Sequence, residues 1–244
     1  MKSLIPLSLL LSGALALPAA APEEPSFPIT DIIGTGLTVD EYAESLSTPA
    51  RSLAKRQYSG DTYNQLTDGT PCRDVTVIYA RGTTQAGNVG APDTEGPTFF
   101  NALASALGGT GRLAIQGVTY PANVFGFLAG GDANGATTMF NHINTAATRC
   151  PNTRIVVSGY SQGAQLVHTA TQRLTAATAA RVNAVVTFGD PDRDEGFGPV
   201  AASKILIICH EGDNICDNGI IITAAHRNYE IDAPAAASFV AARV

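Results

Sequence analysis

The chain has 244 residues, a formal net charge of −6 and 45% hydrophobic residues, enough for one domain with a full core. Its acidic balance offers no basic patch of the kind nucleic acids require. Its N-terminal apolar run is too short to span a bilayer, and no second run approaches that length.

Met1-Lys2 gives a short basic start, Leu4 to Leu11 an apolar stretch and Ala14-Leu15-Ala16 a small-residue cleavage site. This layout predicts a signal peptide over residues 1–16 and an extracellular protein. Leu17 to Arg56 contains Pro, Ala and Glu with little apolar periodicity, and it ends at Lys55-Arg56, the one dibasic pair in the chain. Residues 17–56 therefore read as a pro-segment removed after that pair, leaving a single domain over 57–244. That domain holds eleven Arg and Lys against fifteen Asp and Glu, a net charge of −4. It contains no Asn-x-Ser/Thr sequon, so no N-glycosylation is expected.

Within the domain, five apolar runs read as buried strands: Asp74 to Ala80, Arg112 to Val118, Arg154 to Tyr160, Ala184 to Asp190 and Lys204 to His210. Runs of this kind suit a parallel sheet covered on both faces. Helix-like patterns lie between them at Pro97 to Leu107, Gly135 to Thr148 and Gln162 to Ala179, with a closing helix over Pro234 to Val244. The alternation predicts an α/β domain, with a central five-stranded, mainly parallel sheet and helices on both faces. Thr119 to Gly135 fits neither period; it is rich in Gly and carries Val124, Phe125, Phe127 and Leu128. It reads equally as an apolar loop beside a site or as core under a long loop.

The strand at 154–160 runs directly into Gly159-Tyr160-Ser161-Gln162-Gly163 and then into a helical pattern. Gly-x-Ser-x-Gly between a strand and a helix is a nucleophile elbow. The flanking glycines remove side chains that would clash, and the serine hydroxyl is held clear of the sheet at a helix N-terminus. Such a serine needs a base and an acid to orient it, in the chain order Ser, Asp or Glu, His. Of four histidines, His142 and His168 precede any acid, His210 abuts Cys209, and His226 stands where the order requires the base. Asp190, Asp192, Asp194 and Asp213 are open as the acid; Asp213 is favoured because it sits between Cys209 and Cys216. For the oxyanion, Gln162 supplies one N–H, and Thr83 or Thr84, after Gly82 in the loop following the first strand, the other.

Cys72, Cys150, Cys209 and Cys216 form an even set in a chain read as secreted, so disulfides are expected. Cys209 and Cys216 bracket a short polar loop and are expected to join, leaving Cys72 for Cys150. A zinc site lacks both C-x2-C spacing and a nearby histidine pair, and no metal or organic cofactor is expected.

Together "CRDVTVIYARGTTQAGNVG", "CPNTRIVVSGYSQGAQ" and "CHEGDNICDNGIIITAAH" resemble the fungal cutinase family of serine esterases, from about Cys72 to His226. The resemblance implies a small α/β-hydrolase without a large lid, with disulfides Cys72–Cys150 and Cys209–Cys216. It implies a Ser161, Asp213, His226 triad, an oxyanion hole at Thr83 and Gln162, and action on water-insoluble polyester or small esters. The family often has serine at the position of Thr83, and commonly an apolar residue at that of Arg227. Val124, Phe125, Ile220 and Ile222 are expected to line the substrate cleft. The expected protein is a monomer that does not insert into membranes. Acetylxylan esterase is the alternative enzyme, a serine peptidase is possible on chemistry alone, and a catalytically inactive protein binding a waxy surface is the alternative of another class.

Overall fold

In the computed structural model, which describes residues 24–46 and 57–244, the five apolar runs form one parallel sheet. The expected signal peptide and the Lys55-Arg56 pair lie outside the described residues. In chain order the elements are β1 (Phe27–Pro28), α1 (Val39–Ser45), β2 (Val75–Ala80), α2 (Glu95–Ala106), β3 (Leu113–Gly117), α3 (Val124–Leu128) and α4 (Ala133–Arg149). There follow β4 (Arg154–Tyr160), α5 (Gln162–Gln172), α6 (Ala176–Arg181), β5 (Val182–Phe188), β6 (Ile205–Ile208), β7 (Ile221–Ile222) and α7 (Ala233–Ala241).

Residues of each central strand alternate between two apolar layers. Val77 and Tyr79 of β2 pack with Phe99 and Leu103 of α2 and Val240 of α7. Their neighbours Ile78 and Ala80 pack with Met139 of α4 and Leu166 of α5 on the opposite face. The sheet order is β3-β2-β4-β5-β6. From β2 the chain moves outward to β3, then returns to place β4 on the other side of β2. Such a reversal opens a crevice at the carboxyl ends of the two strands, here β2 and β4, where ligands of open α/β sheets bind. Disulfides join Cys72 to Cys150 and Cys209 to Cys216. Among the described residues no helix is long and apolar enough to cross a membrane.

Caps account for several departures from the expected boundaries. The helix expected over 162–179 is two, because Thr175 accepts from the Thr178 N–H and starts α6 afresh. Asp132 accepts from the Gly135 N–H and opens α4 two residues early. The aperiodic stretch 119–135 contains α3, capped by Asn123 accepting from the Gly126 N–H.

Residues 24–46 carry structure despite their weak periodicity. β1 pairs antiparallel with β7, Phe27 opposite Ile222. α1 starts on a capping box in which Thr38 accepts from the Glu41 N–H while the Glu41 carboxylate accepts from the Thr38 N–H. Ile29, Ile32 and Val39 then bury themselves against Val124, Phe127 and Ile222 of the domain.

Candidate active site

Ser161 stands at the carboxyl end of β4 with φ 54° and ψ −121°, a strained conformation for a residue with a Cβ. Two glycines permit the turn. A Cβ at Gly159 would meet the backbone carbonyl of Gly163, and one at Gly163 would meet that of Ala80. The strand and helix therefore approach as closely as backbone allows, and the serine is pushed to the tip.

Three residues far apart in sequence converge there. The Ser161 hydroxyl donates to Nε2 of His226 at 3.0 Å, and Nδ1–H of His226 donates to Oδ2 of Asp213 at 2.8 Å. The carboxylate fixes this tautomer, since it can only accept. Burial alone would raise the pKa of Asp213, but hydrogen bonds from His226, Tyr229 and the Ile215 N–H hold it below the usual carboxylate range. The His226 ring stacks on Tyr160, whose hydroxyl donates to the His226 carbonyl at 2.8 Å. The other candidate acids are engaged elsewhere: Asp190 pairs with buried His168 at 3.0 Å, and Asp192 and Asp194 stay on their turn.

Gln162 opens α5, so its N–H precedes the first intrahelical bond. Its side-chain amide donates to Oγ1 of Thr83 at 2.9 Å, leaving the Thr83 hydroxyl proton free to point elsewhere. Thr84 is engaged elsewhere. It adopts φ 64°, its N–H donates to the Ala122 carbonyl, and its hydroxyl accepts from the Val39 N–H of α1. A buried relay that carries no motif, and so escaped the sequence reading, braces this loop. Gly82 N–H donates to Oε1 of Gln85 at 2.9 Å, and the Gln85 amide donates to Oε2 of Glu95 at 2.8 Å.

Of the expected cleft residues, Ile222 lines the space around Ser161 and His226, Val124 and Phe125 line a second groove with Ile32, Leu37 and Thr84, and Ile220 lines neither. Phe125 and Ile220 are exposed, whereas Val124 and Ile222 are buried beneath residues 27–43. Ile29, Val39 and Asp40 line the space around Ser161 and His226 together with Thr83, leaving a cavity of about 10 Å³, too small for an acyl group. Arg227, next to the base, pairs at 2.9 Å with Glu24 at the start of the covering segment.

A family model described as Cutinase matches residues 71–244. The chain belongs to the cutinase family. It is 50% identical to Cutinase CUT2 of Pyricularia oryzae, over 79% of this chain and 90% of that protein. It is 40% identical to a cutinase of Hypocrea jecorina over 98% of each. Among solved structures, Trichoderma reesei cutinase in complex with a C11Y4 phosphonate inhibitor superposes with a TM-score of 0.71 at 42% identity, over 87% of this chain and 90% of that one. An acetylxylan esterase at 22% identity and TM-score 0.55, covering 71% of this chain and 99% of that one, shares the fold. The cutinase match spans the whole sheet, both disulfides and every element that positions Ser161.

Proposed function

We propose that Ser161, His226 and Asp213 carry out acyl transfer in a secreted cutinase-type esterase. The protein is a carboxylic ester hydrolase acting on cutin-like polyesters and short- to medium-chain acyl esters. The supporting observation is the unbroken hydrogen-bond line from the Ser161 hydroxyl through His226 to Asp213. Nε2 of His226 takes the Ser161 proton as Oγ attacks the ester carbonyl. The imidazolium so formed is stabilised by ionised Asp213 and then gives its proton to the leaving alcohol. The Gln162 N–H and the Thr83 N–H and hydroxyl stabilise the oxyanion. Water, activated in turn by His226, releases the acid.

Exposed apolar side chains at Phe125 and Ile220, both expected at the cleft, support acyl chains over acetylated sugars. Hydrolysis of p-nitrophenyl esters from acetate to palmitate in detergent micelles, beside Ser161→Ala, tests the reading. The expected result is a maximum near butyrate with longer chains tolerated, and at least about 10³-fold loss in the variant. Activity confined to acetate points to a carbohydrate deacetylase; equal rates in both proteins remove Ser161 as nucleophile.

Residues 24–46 serve as a cover of the closed site. Buried Ile29 and Val39 stand where acyl substrate must come, and Asp40 lies beside Ser161. Cutting after Lys55-Arg56 severs the covalent link of this cover to the domain, leaving it held by non-covalent contacts.

A further inference from the structure

Behind the triad lies a second cluster that the acyl-transfer scheme does not use. Tyr229 is fully buried, and its hydroxyl lies 2.6 Å from Oδ2 of Asp213, the same oxygen that receives His226. That hydroxyl accepts the backbone N–H of His210 at 2.9 Å, so its own proton goes to Asp213. The His210 ring lies flat on the Tyr229 ring, centroids 4.0 Å apart at 17°. Nδ1 of His210 faces the Ala225 carbonyl at 2.9 Å and Oδ1 of Asn228 at 3.0 Å. Nε2 faces Oδ2 of Asp232 at 2.6 Å. A ring with an acceptor at each nitrogen carries both protons. Burial works against that charge, but the Ala225 carbonyl and Asp232 together raise the pKa of His210.

We propose that Tyr229, backed by His210 and Asp232, is a positioning set that fixes how Asp213 holds His226. The connectivity carries the assignment. His210 begins the disulfide loop that bears Asp213, and its side chain bonds Ala225 and Asn228, which bracket His226 in sequence. One ring thus clamps the loop of the acid to the loop of the base. Through Tyr229 it also acts on the carboxylate, because a cation over the phenol ring strengthens the hydroxyl as a donor. The phenol bond orients Oδ2 toward Nδ1 and lowers its affinity for a proton, so the imidazolium formed during acyl transfer keeps its proton for the leaving group. The other ionisable groups facing His226 are Ser161 and Tyr160, with Asp40 and Glu95 acting on Tyr160 from further off. All of these are unchanged in the variants below.

This inference rests on the triad reading, so organophosphate labelling of Ser161 in the parent protein comes first. If the parent is not labelled even in detergent micelles, which displace the cover, the triad falls and this assignment with it. The pH dependence of kcat and KM for p-nitrophenyl butyrate is then measured for Tyr229→Phe and His210→Gln. With one donor fewer, Asp213 attracts protonated His226 more strongly, so the acid limb of kcat/KM moves to higher pH. For Tyr229→Phe the expected shift is about half a unit, with kcat about tenfold lower and KM within about twofold of the parent. His210→Gln shifts the limb the same way by less. A limb that stays put in both variants while Tm falls makes the cluster mere packing and overturns the assignment. Should Tyr229→Phe fail to fold, His210→Gln decides by the same limb.

Discussion

Glu95 shows how a single buried side chain can give the molecule a pH dependence of its own. Burial, with Asp40 nearby, pushes its pKa from an ordinary 4.5 up to about 8. The unfolded chain therefore gives up this proton first, and the folded state holds it until the pH passes about 8. Above 4.5 the unfolded state is progressively favoured, so this group lowers stability as pH rises from 4.5 to about 8, after which its contribution levels off. Glu95→Gln keeps an acceptor for the Gln85 amide and removes the ionisation. Chemical denaturation should find the variant more stable than the parent at pH 8, by about 1–3 kcal/mol, and within about 0.5 kcal/mol of it at pH 4. An equal gain at both pH values would show packing rather than linkage. Glu95 could not be read from sequence because its role depends on the neighbours that bury it. The convergence of Ser161, His226 and Asp213 could be expected, because chemistry restricts residue type, chain order and, for Ser161, the flanking glycines, although Asp190, Asp192 and Asp194 met the same order as Asp213.

Elements divide in the same way. The five strands were legible because burial on both faces leaves a continuous apolar run, as in Val75–Ala80 and Val182–Phe188. Helix ends were less so, because a single capping side chain such as Asp132 or Thr175 decides where a helix begins. α1 was missed although Thr38-Val39-Asp40-Glu41 spells its capping box; at seven residues it shows too little periodicity to announce itself. That cap has a functional consequence, since the Val39 N–H donates to Thr84 in the loop of the proposed oxyanion hole. Thr38→Ala should weaken α1 by about 1 kcal/mol. If the cover opens by releasing α1, hydrolysis of soluble p-nitrophenyl butyrate should rise about fivefold, in step with faster hydrogen exchange at residues 39–45. Faster exchange at an unchanged rate of hydrolysis would mean that α1 frays without uncovering Ser161.

At the scale of the whole molecule, the arrangement joins a complete hydrogen-bonded triad to a mouth closed by the chain's own upstream residues. No local pattern reveals that closure, because it depends on Phe27 meeting Ile222 and Ile29 meeting the space beside Ser161, contacts between residues far apart in the chain. The hold is chiefly apolar. The Arg227–Glu24 pair adds little, since the Glu24 side chain is about half exposed. A charge at Ile29 attacks that hold directly, because an unpaired carboxylate cannot be buried cheaply whereas the lifted segment leaves it in water. In Ile29→Asp, hydrolysis of soluble butyrate ester and phosphonylation of Ser161 should both rise about tenfold or more over the parent. With micellar ester the two proteins should converge, because an apolar surface displaces the cover of the parent as well. The ratio of micellar to soluble rates thus isolates the cover from the chemistry. A variant that gains nothing on soluble ester, yet keeps its micellar rate, would show that substrate reaches Ser161 with residues 24–46 in place.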